Sequence, residues 1–370
     1  AAAEILRKMK RRVKEGQKCF LCEDHFKDLP ILIDKIMKML HEYEYDTFLI
    51  GIKLPVEAEE REDEFKAEFE AFYSENMKNE FSRVIGKALS KTTGKSVDFM
   101  TPNIAVIVNP FTEDIDLQVN SLYIMGRYRK LVRGIPQSKW LCAKCRGKGC
   151  PKCNWTGKMY PESVEELIAE PIIERTLGEE GSFHGAGRED IDALMLGRGR
   201  PFVIEIKKPH KRRLDLSELE KAINQKAQGK IAVTNLKVAN KEEVRKLKHV
   251  ESSMKLYRVV VKFDKEVSND DLEKLERAFT NVSILQRTPR RVMHRRADIM
   301  REKHIYETKV KRISQNSIEM KIRCQGGLYI KELVTGDEGR TDPNVSKIVN
   351  AKAEPIELDV LNVFVKGGGI

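Results

Sequence analysis

Residues 184–202, His-Gly-Ala-Gly-Arg-Glu-Asp-Ile-Asp-Ala-Leu-Met-Leu-Gly-Arg-Gly-Arg-Pro-Phe, put four glycines, three arginines and two aspartates into nineteen positions. They run directly into an apolar strand that starts at Phe202-Val203-Ile204-Glu205-Ile206. The order, loop then strand, excludes dinucleotide binding, in which G-x-G-x-x-G follows a strand and opens a helix. A P-loop needs its glycine followed by Lys and Ser or Thr, which is absent. A metal site on Asp190 and Asp192 would want further acids or histidines, and the neighbours are arginines. Arginine beside a carboxylate favours the charged form, the state a nucleophile or general base requires. An ordinary turn remains open on these residues alone.

The surrounding chain bounds the choice. Its 370 residues suffice for two or three domains that need no disulfide staples. Apolar content of 41% with 34% charged residues describes a soluble globular protein. No apolar run reaches membrane-spanning length, and the charged N-terminus, AAAEILRKMKRRVKEG, does not read as a signal peptide, so a cytoplasmic protein is expected. Sixty-eight Lys and Arg against fifty-seven Asp and Glu leave a net charge of +11, which favours polyanionic partners, nucleic acid first. Residues 286–312 carry ten Lys or Arg against three acids, and they interleave histidines and a tyrosine. From this run Arg290, Arg291, His294, Arg295 and Arg296 are candidate RNA contacts. The segment Gly126-Arg127-Tyr128-Arg129-Lys130, which closes a strand hairpin, suggests backbone contacts from Arg127, Arg129 and Lys130. The basic run KKPHKRR at 207–213 is a further phosphate-facing candidate.

Six of the seven cysteines form Cys-x-x-Cys pairs, a spacing that reads as metal ligation outside oxidising compartments. Cys142, Cys145, Cys150 and Cys153 fall within twelve residues, with Gly147 and Gly149 allowing tight turns between them. A structural zinc is expected, because four thiolates leave no open position for chemistry. Cys19 and Cys22 are possible alternative ligands. No H-x-E motif accompanies these cysteines, which excludes zinc-deaminase chemistry.

Three blocks are expected. Residues 1–135 alternate helix and strand: a helix in LPILIDKIMKMLHEYE, a strand in DTFLIGI, one long charged helix near 60–90, then strands in NIAVIVNP and DIDLQVNSLYIMG. Residues 136–160 form a Cys-rich linker. From 161 to 370 antiparallel strands alternate with short helices, the first capped by Ser163 with Glu166 completing a capping box.

Gly187-Arg188-Glu189-Asp190 resembles the G-R-x-D signature of pseudouridine synthases, and the longer string GREDIDALMLGRGRPF resembles the archaeal and eukaryotic family called Pus-ten. Two later stretches agree, in the family's order. In Met254-Lys255-Leu256-Tyr257-Arg258-Val259, alternation puts Tyr257 on the inward face, and the resemblance implies a tyrosine lying against the target base. Gly327-Leu328-Tyr329-Ile330-Lys331 follows the strand NSIEMKIRC, and its Tyr-Ile-Lys resembles the motif whose basic residue pairs with the catalytic aspartate. The N-terminal block is similar to a THUMP-type RNA-binding domain.

The resemblance implies an α+β fold: a mixed, mostly antiparallel synthase sheet preceded by an α/β THUMP-containing domain with a zinc knuckle. It implies Asp190 as nucleophile with Tyr257 and Lys331 as catalytic partners, Arg188 and Tyr329 in substrate binding, and no organic cofactor. The implied substrate is tRNA, with uridines 54 and 55 of the TΨC arm as targets. A monomer with no obligate protein partner is expected. One departure stands out: Leu194 occupies a place where the resemblance implies arginine. The competing reading is a zinc-containing RNA-binding protein without catalysis, which leaves the coexistence of the three motifs unexplained. A THUMP-bearing methyltransferase would need a glycine-rich cofactor loop after a strand, and none is present.

Overall fold

The computed structural model describes residues 18–71, 73–250 and 253–364, with the side chains of 248–250 and 295 outside the description. Two compact units divide the described residues: those up to 121 with 208–213, and 122–207 with those from 214 on.

The first unit follows its apolar spacing. Helix α1 (Leu29–Leu40) buries Leu29, Leu32, Ile36 and Leu40, one face of a 3.6-residue period, and begins with proline in its first turn. Strand β1 (Thr47–Ile52) is followed by helices α2 (Val56–Glu68) and α3 (Met77–Thr93). The single helix expected near 60–90 is thus two. The break has a cause in Asn76, which is extended, and in Glu62, whose buried carboxylate accepts the N–H of Met77 at 2.8 Å and so starts a new helix there. β2 (Ser96–Val97), β3 (Ile104–Asn109) and β4 (Asp114–Val119) complete a sheet of order β2-β1-β3-β4, parallel except for the last pair. Ile104, Val106 and Val108 alternate into the core.

The expected strand DIDLQVNSLYIMG is two strands in different units, split at Asn120-Ser121. The boundary expected at 135 lies at 121 in the structure, because β5 (Leu122–Lys130) is hydrogen-bonded into the second sheet. Segment 208–213 belongs to the first unit. Arg212 and Arg213 donate backbone N–H bonds to one Glu44 oxygen at 2.8 and 3.0 Å, Arg213 pairs with Asp46, and His210 stacks on Tyr43 with centroids 4.3 Å apart. His210, Arg212 and Arg213 of the run KKPHKRR thus tie the chain to this unit, while Lys207, Lys208 and Lys211 are exposed.

The second unit contains α4 (Val164–Thr176), β6 (Glu180–Gly185), β7 (Leu194–Lys207), α5 (Leu216–Ala227), β8 (Ile231–Ala239), α6 (Lys241–Val250) and β9 (Lys255–Phe263). It continues through α7 (Asn269–Ala278), β10 (Val282–Arg287), β11 (Met300–Ser314), β12 (Ser317–Cys324), α8 (Ile330–Thr335), β13 (Thr341–Asp342), α9 (Val345–Val349) and β14 (Ala353–Val363). The sheet runs β13-β10-β11-β12-β9-β14-β7-β5-β8, with β6 also on β7. Among the described residues only β14 and β7 pair in parallel in this sheet, so it is mixed and mostly antiparallel, as the resemblance implies. Ser163 caps α4 as expected, accepting the Glu166 N–H at 3.2 Å while its hydroxyl meets the Glu166 carboxylate at 2.7 Å.

Two apolar cores lie along this sheet, one around β5, β7 and β8 and one around β9–β12. Tyr257 packs against both. The centre of the sheet, where β9, β14 and β7 adjoin, is where the two cores meet and where the candidate site lies.

Candidate active site

The loop between β6 and β7 carries Asp190, and buried polar groups hold it from beneath. Glu189 is buried and accepts from Tyr128 Oη at 2.9 Å and from Arg200 Nε at 2.8 Å. Arg200 also donates to the Ala186 carbonyl at 2.7 Å, and Gln137 bridges Tyr128 Oη and the Gly187 carbonyl at 2.7 and 3.0 Å. Lys130 is fully buried, with its ammonium on the carbonyls of Ile135, Asp190 and Ile191 at 2.9, 3.0 and 3.1 Å. Burial lowers the Lys130 pKa and drives the Tyr128 phenol well up. Such a network fixes the loop because every buried group has a partner whose loss would leave it unsatisfied.

This overturns two expected RNA contacts. Arg127 is buried too, donating to the Arg198 and Gly199 carbonyls at 2.8 and 2.9 Å. Neither Arg127 nor Lys130 faces solvent, because backbone carbonyls of residues 135, 190–191 and 198–199 take up their cationic groups inside the protein. Arg129 alone of the three is exposed. The glycines of the GRGRPF exit serve the same close packing. A Cβ on Gly197 would sit 2.0 Å from the Leu361 carbonyl oxygen, and on Gly199 2.7 Å from that of Tyr128. Both have positive φ, 57° and 74°. They bring backbone against backbone.

Above the network, Asp190 faces an open cleft of about 660 Å³. Its carboxylate lies 3.3 Å from Lys331 Nζ and 3.4 Å from Arg291 Nη1. Lys331 stands in the first turn of α8 and makes its shortest contact to Asp192, at 2.7 Å. One ammonium thus spans both aspartates of the loop. Partial burial would raise the Asp192 carboxyl, but the Lys331 hydrogen bond and charge outweigh it and hold it below the usual range. Arg291 is oriented by Glu332, whose oxygen meets its Nε at 2.6 Å. Two cations therefore flank Asp190 even though Leu194 is not an arginine.

Tyr257, on β9, lines the same cleft. Burial pushes its phenol far up, so the hydroxyl stays protonated. Tyr329 is another wall, with the Arg291 guanidinium 5.9 Å from its ring centroid. Gln286 fixes the Tyr329 backbone, donating to its carbonyl at 3.0 Å and accepting its N–H at 2.8 Å. Arg188 lines the cleft with its guanidinium 5.1 Å from the Trp140 ring centroid.

The basic run at 286–312 divides. Arg291 and Arg296 line the cleft. Arg290 pairs instead with Glu338 at 2.6 Å, and its N–H is held by Asp337. His294 is exposed but outside the cleft lining, and the side chain of Arg295 lies outside the described residues. Arg301, Lys303 and Trp140 line the cleft without having been singled out in the sequence. Alternation along β11 gives Arg301 and Lys303 a shared face, a signal that points to them once the strand is known.

The four cysteines 142, 145, 150 and 153 gather with all sulfurs within 4.8 Å of one another. Their separations include 3.7, 3.8 and 3.9 Å. A tetrahedral ion with thiolates at about 2.3 Å requires about 3.8 Å between sulfurs, so the donor set fits a metal ion such as zinc. Backbone N–H groups of Cys150 and Gly157 point at Cys153 Sγ, each at 3.3 Å, and help to outweigh the effect of burial, bringing that thiol down to about 6. Among the described residues these four form the candidate metal group by themselves, without Cys19 or Cys22. Cys22 is buried in the first unit's core. The knuckle belongs to the second compact unit.

The chain matches two family models: Pus10, C-terminal, over residues 123–364, and the archaeal Pus10 THUMP domain over residues 32–109. It is 47% identical over 351 residues to the tRNA pseudouridine synthase Pus10 of Methanocaldococcus jannaschii, covering 94% of this chain and 76% of that one. The protein of the same name from Methanococcus voltae is 48% identical over 342 residues, 90% of this chain and 65% of that one. That from Methanosphaera stadtmanae is 40% identical over 374 residues, 95% and 90% of the two chains. A domain match over most of the second unit, together with relatives this similar along nearly the whole chain, makes this chain a member of the Pus10 family.

Proposed function

We propose that this chain is a tRNA pseudouridine synthase that isomerises uridines 54 and 55 of the TΨC arm, with Asp190 as its catalytic carboxylate. The observation that carries the reading is the meeting of three distant stretches: Asp190, Tyr257 and Lys331 line one cleft, with Lys331 3.3 Å from Asp190. The relatives' shared name supports the reaction and the substrate class.

Isomerisation requires the N1–C1′ glycosidic bond to break, the uracil to rotate, and C5 to bond to C1′ with loss of the C5 proton. A stacked uridine must first leave its helix, which costs about a few kcal/mol. The Tyr257 ring restores stacking worth roughly 1–3 kcal/mol. Its hydroxyl can donate or accept a hydrogen bond at the base. Asp190 serves as nucleophile or base, and Lys331 and Arg291 complement charge redistribution at its carboxylate. Arg188, Tyr329 and Arg296 bind the flipped nucleotide and its phosphates, while Arg290, His294 and Arg129 are assigned to contacts outside the cleft. The cysteine cluster holds a structural zinc that takes no part in bond making, and no organic cofactor takes part. The enzyme works as a cytoplasmic monomer; among the described residues no helix is long and apolar enough to cross a membrane.

The test follows from the chemistry. With uridine tritiated at C5, each turnover releases tritium to water. Wild-type chain should release it from a tRNA transcript, and Asp190→Asn should bind the same RNA and release none. Turnover by Asp190→Asn at the wild-type rate would remove Asp190 from this role.

A further inference from the structure

The cysteine knuckle has a surface that metal binding does not explain. Residues 138–161 contain six Lys or Arg and no Asp or Glu, more than half of the chain's net +11. Lys144, Arg146, Lys148 and Lys152 are exposed, and among the described residues none of the four has an ion-pair partner. Trp155 projects from the same turns with 73% of its surface exposed. A tetrahedral thiolate site needs none of these side chains.

The turns that gather the sulfurs also fix this display. Arg146 N–H bonds to the Cys142 carbonyl at 2.8 Å, Lys148 N–H to that of Cys145 at 3.1 Å, and Trp155 N–H to that of Cys150 at 2.9 Å. Arg146 and Trp155 both have left-handed backbone, with φ of 52° and 61°. That conformation is uncommon for a bulky residue, and here it sets an indole facing water. Unpaired cations around an exposed aromatic ring, without acids, are the chemistry of nucleic-acid contact: phosphates meet the cations and a base stacks on the ring. The segment also reaches the candidate active site. Trp140, two residues before the first knuckle cysteine, lines the catalytic cleft beneath Arg188.

We propose that the knuckle is a second RNA-contact surface, on which Trp155 stacks an unpaired base of the tRNA and Lys144, Arg146, Lys148 and Lys152 hold its phosphates. The contact lies outside the nucleotide in the cleft. It sets affinity and register and takes no part in bond making. The inference rests on the proposed function, since it takes the polyanion to be the tRNA whose uridine occupies the cleft.

The experiment measures binding and turnover separately, with the full chain and a tRNA transcript. Trp155→Ala should weaken binding about tenfold, as expected from stacking energies of roughly 1–3 kcal/mol. Trp155→Phe should recover most of that loss. The combined Lys144→Gln, Arg146→Gln, Lys148→Gln and Lys152→Gln variant should lower the slope of log Kd against log salt by about three. For all three proteins kcat at saturating tRNA should stay at the wild-type value, and the metal content per chain should match the wild type. Wild-type Kd and salt slope in both the Trp155→Ala and the fourfold variant would overturn the proposal and leave the surface to a partner other than RNA. A fall in kcat with unchanged Kd would overturn it equally, because the residues would then act on the cleft. Knuckle-dependent binding by a wild-type chain that releases no tritium would retain the contact and defeat the enzymatic reading instead.

Discussion

Glu189 and Asp190 are neighbours in the chain and opposites in their surroundings. Glu189 points into the protein, where Arg200 and Tyr128 engage its carboxylate and no water reaches it. Asp190 points into the cleft, flanked by Lys331 and Arg291 at 3.3 and 3.4 Å, with about a third of its side chain exposed. Both are carboxylates paired with cations. The buried pair stabilises a loop conformation. The exposed pair, whose Coulomb attraction water weakens, leaves a carboxylate accessible to a substrate. One loop thus turns successive carboxylates to opposite surroundings, one into the protein and one toward the cleft.

The comparison breaks first if the two carboxylates respond alike to amide substitution. Asp190→Asn is expected to lower kcat on the order of 10³-fold or more without lowering Tm, read by tritium release and calorimetry. Glu189→Gln should do the reverse in kind. Breaking a buried ion pair from one side costs about 3–5 kcal/mol. For a domain of this size that lowers Tm by about 6–20 °C. The double change Glu189→Leu with Arg200→Met should be less destabilising than either single change, since it leaves no buried charge alone. Additive losses in that cycle would mean that the pair is not a unit.

The outward half of this candidate site is legible in the sequence and the inward half is not, for a physical reason. Asp190, Tyr257 and Lys331 stand in short motifs whose residue types are dictated by chemistry, so they are legible without knowing the fold. Arg127 and Lys130 also look like surface cations, because a basic, aromatic strand at a domain end usually faces water. Their burial depends on backbone carbonyls of Asp190, Ile191, Arg198 and Gly199, and partners so far downstream leave no local trace. The step from one sheet to another at Asn120-Ser121 is hidden in a like way, because an unbroken alternating pattern runs across it. The cysteine cluster, by contrast, is entirely local, and its four ligands lie within one short segment.

Smaller changes on the cleft side sharpen the comparison. Lys331→Ala should reduce kcat by about ten- to a hundredfold, and Lys331→Arg should recover part of that, because the guanidinium keeps the charge but alters the geometry. Arg291 remains beside Asp190 in both variants, which limits the loss. Tyr257→Phe should retain activity within about fivefold, since the ring supplies the stacking and burial keeps the hydroxyl protonated. A thousandfold loss there would instead assign the hydroxyl a proton-transfer step.

The smallest effect is expected at Asp192, and its sign can be derived. Lys331 holds the Asp192 carboxyl below its usual pKa, so the folded state binds a proton there less readily than the unfolded chain does. The resulting stabilisation is complete above the unfolded pKa of about 3.9 and fades as pH falls through the lower folded value. Asp192 is two-thirds exposed on its side chain, so water screens the pair and the contribution to stability is small. Asp192→Asn should therefore leave Tm at pH 7 within about a degree or two and slightly flatten its decline below about pH 4. Its effect on turnover comes through Lys331, which makes its 2.7 Å contact to Asp192 and its 3.3 Å contact to Asp190. Freed from the nearer carboxylate, the ammonium can close on Asp190, so kcat should change by less than about threefold and its salt dependence should weaken. A collapse of activity in Asp192→Asn with Asp190 intact would show that the chemistry belongs to both aspartates. The inward and outward halves of the loop would then no longer divide at Glu189 and Asp190.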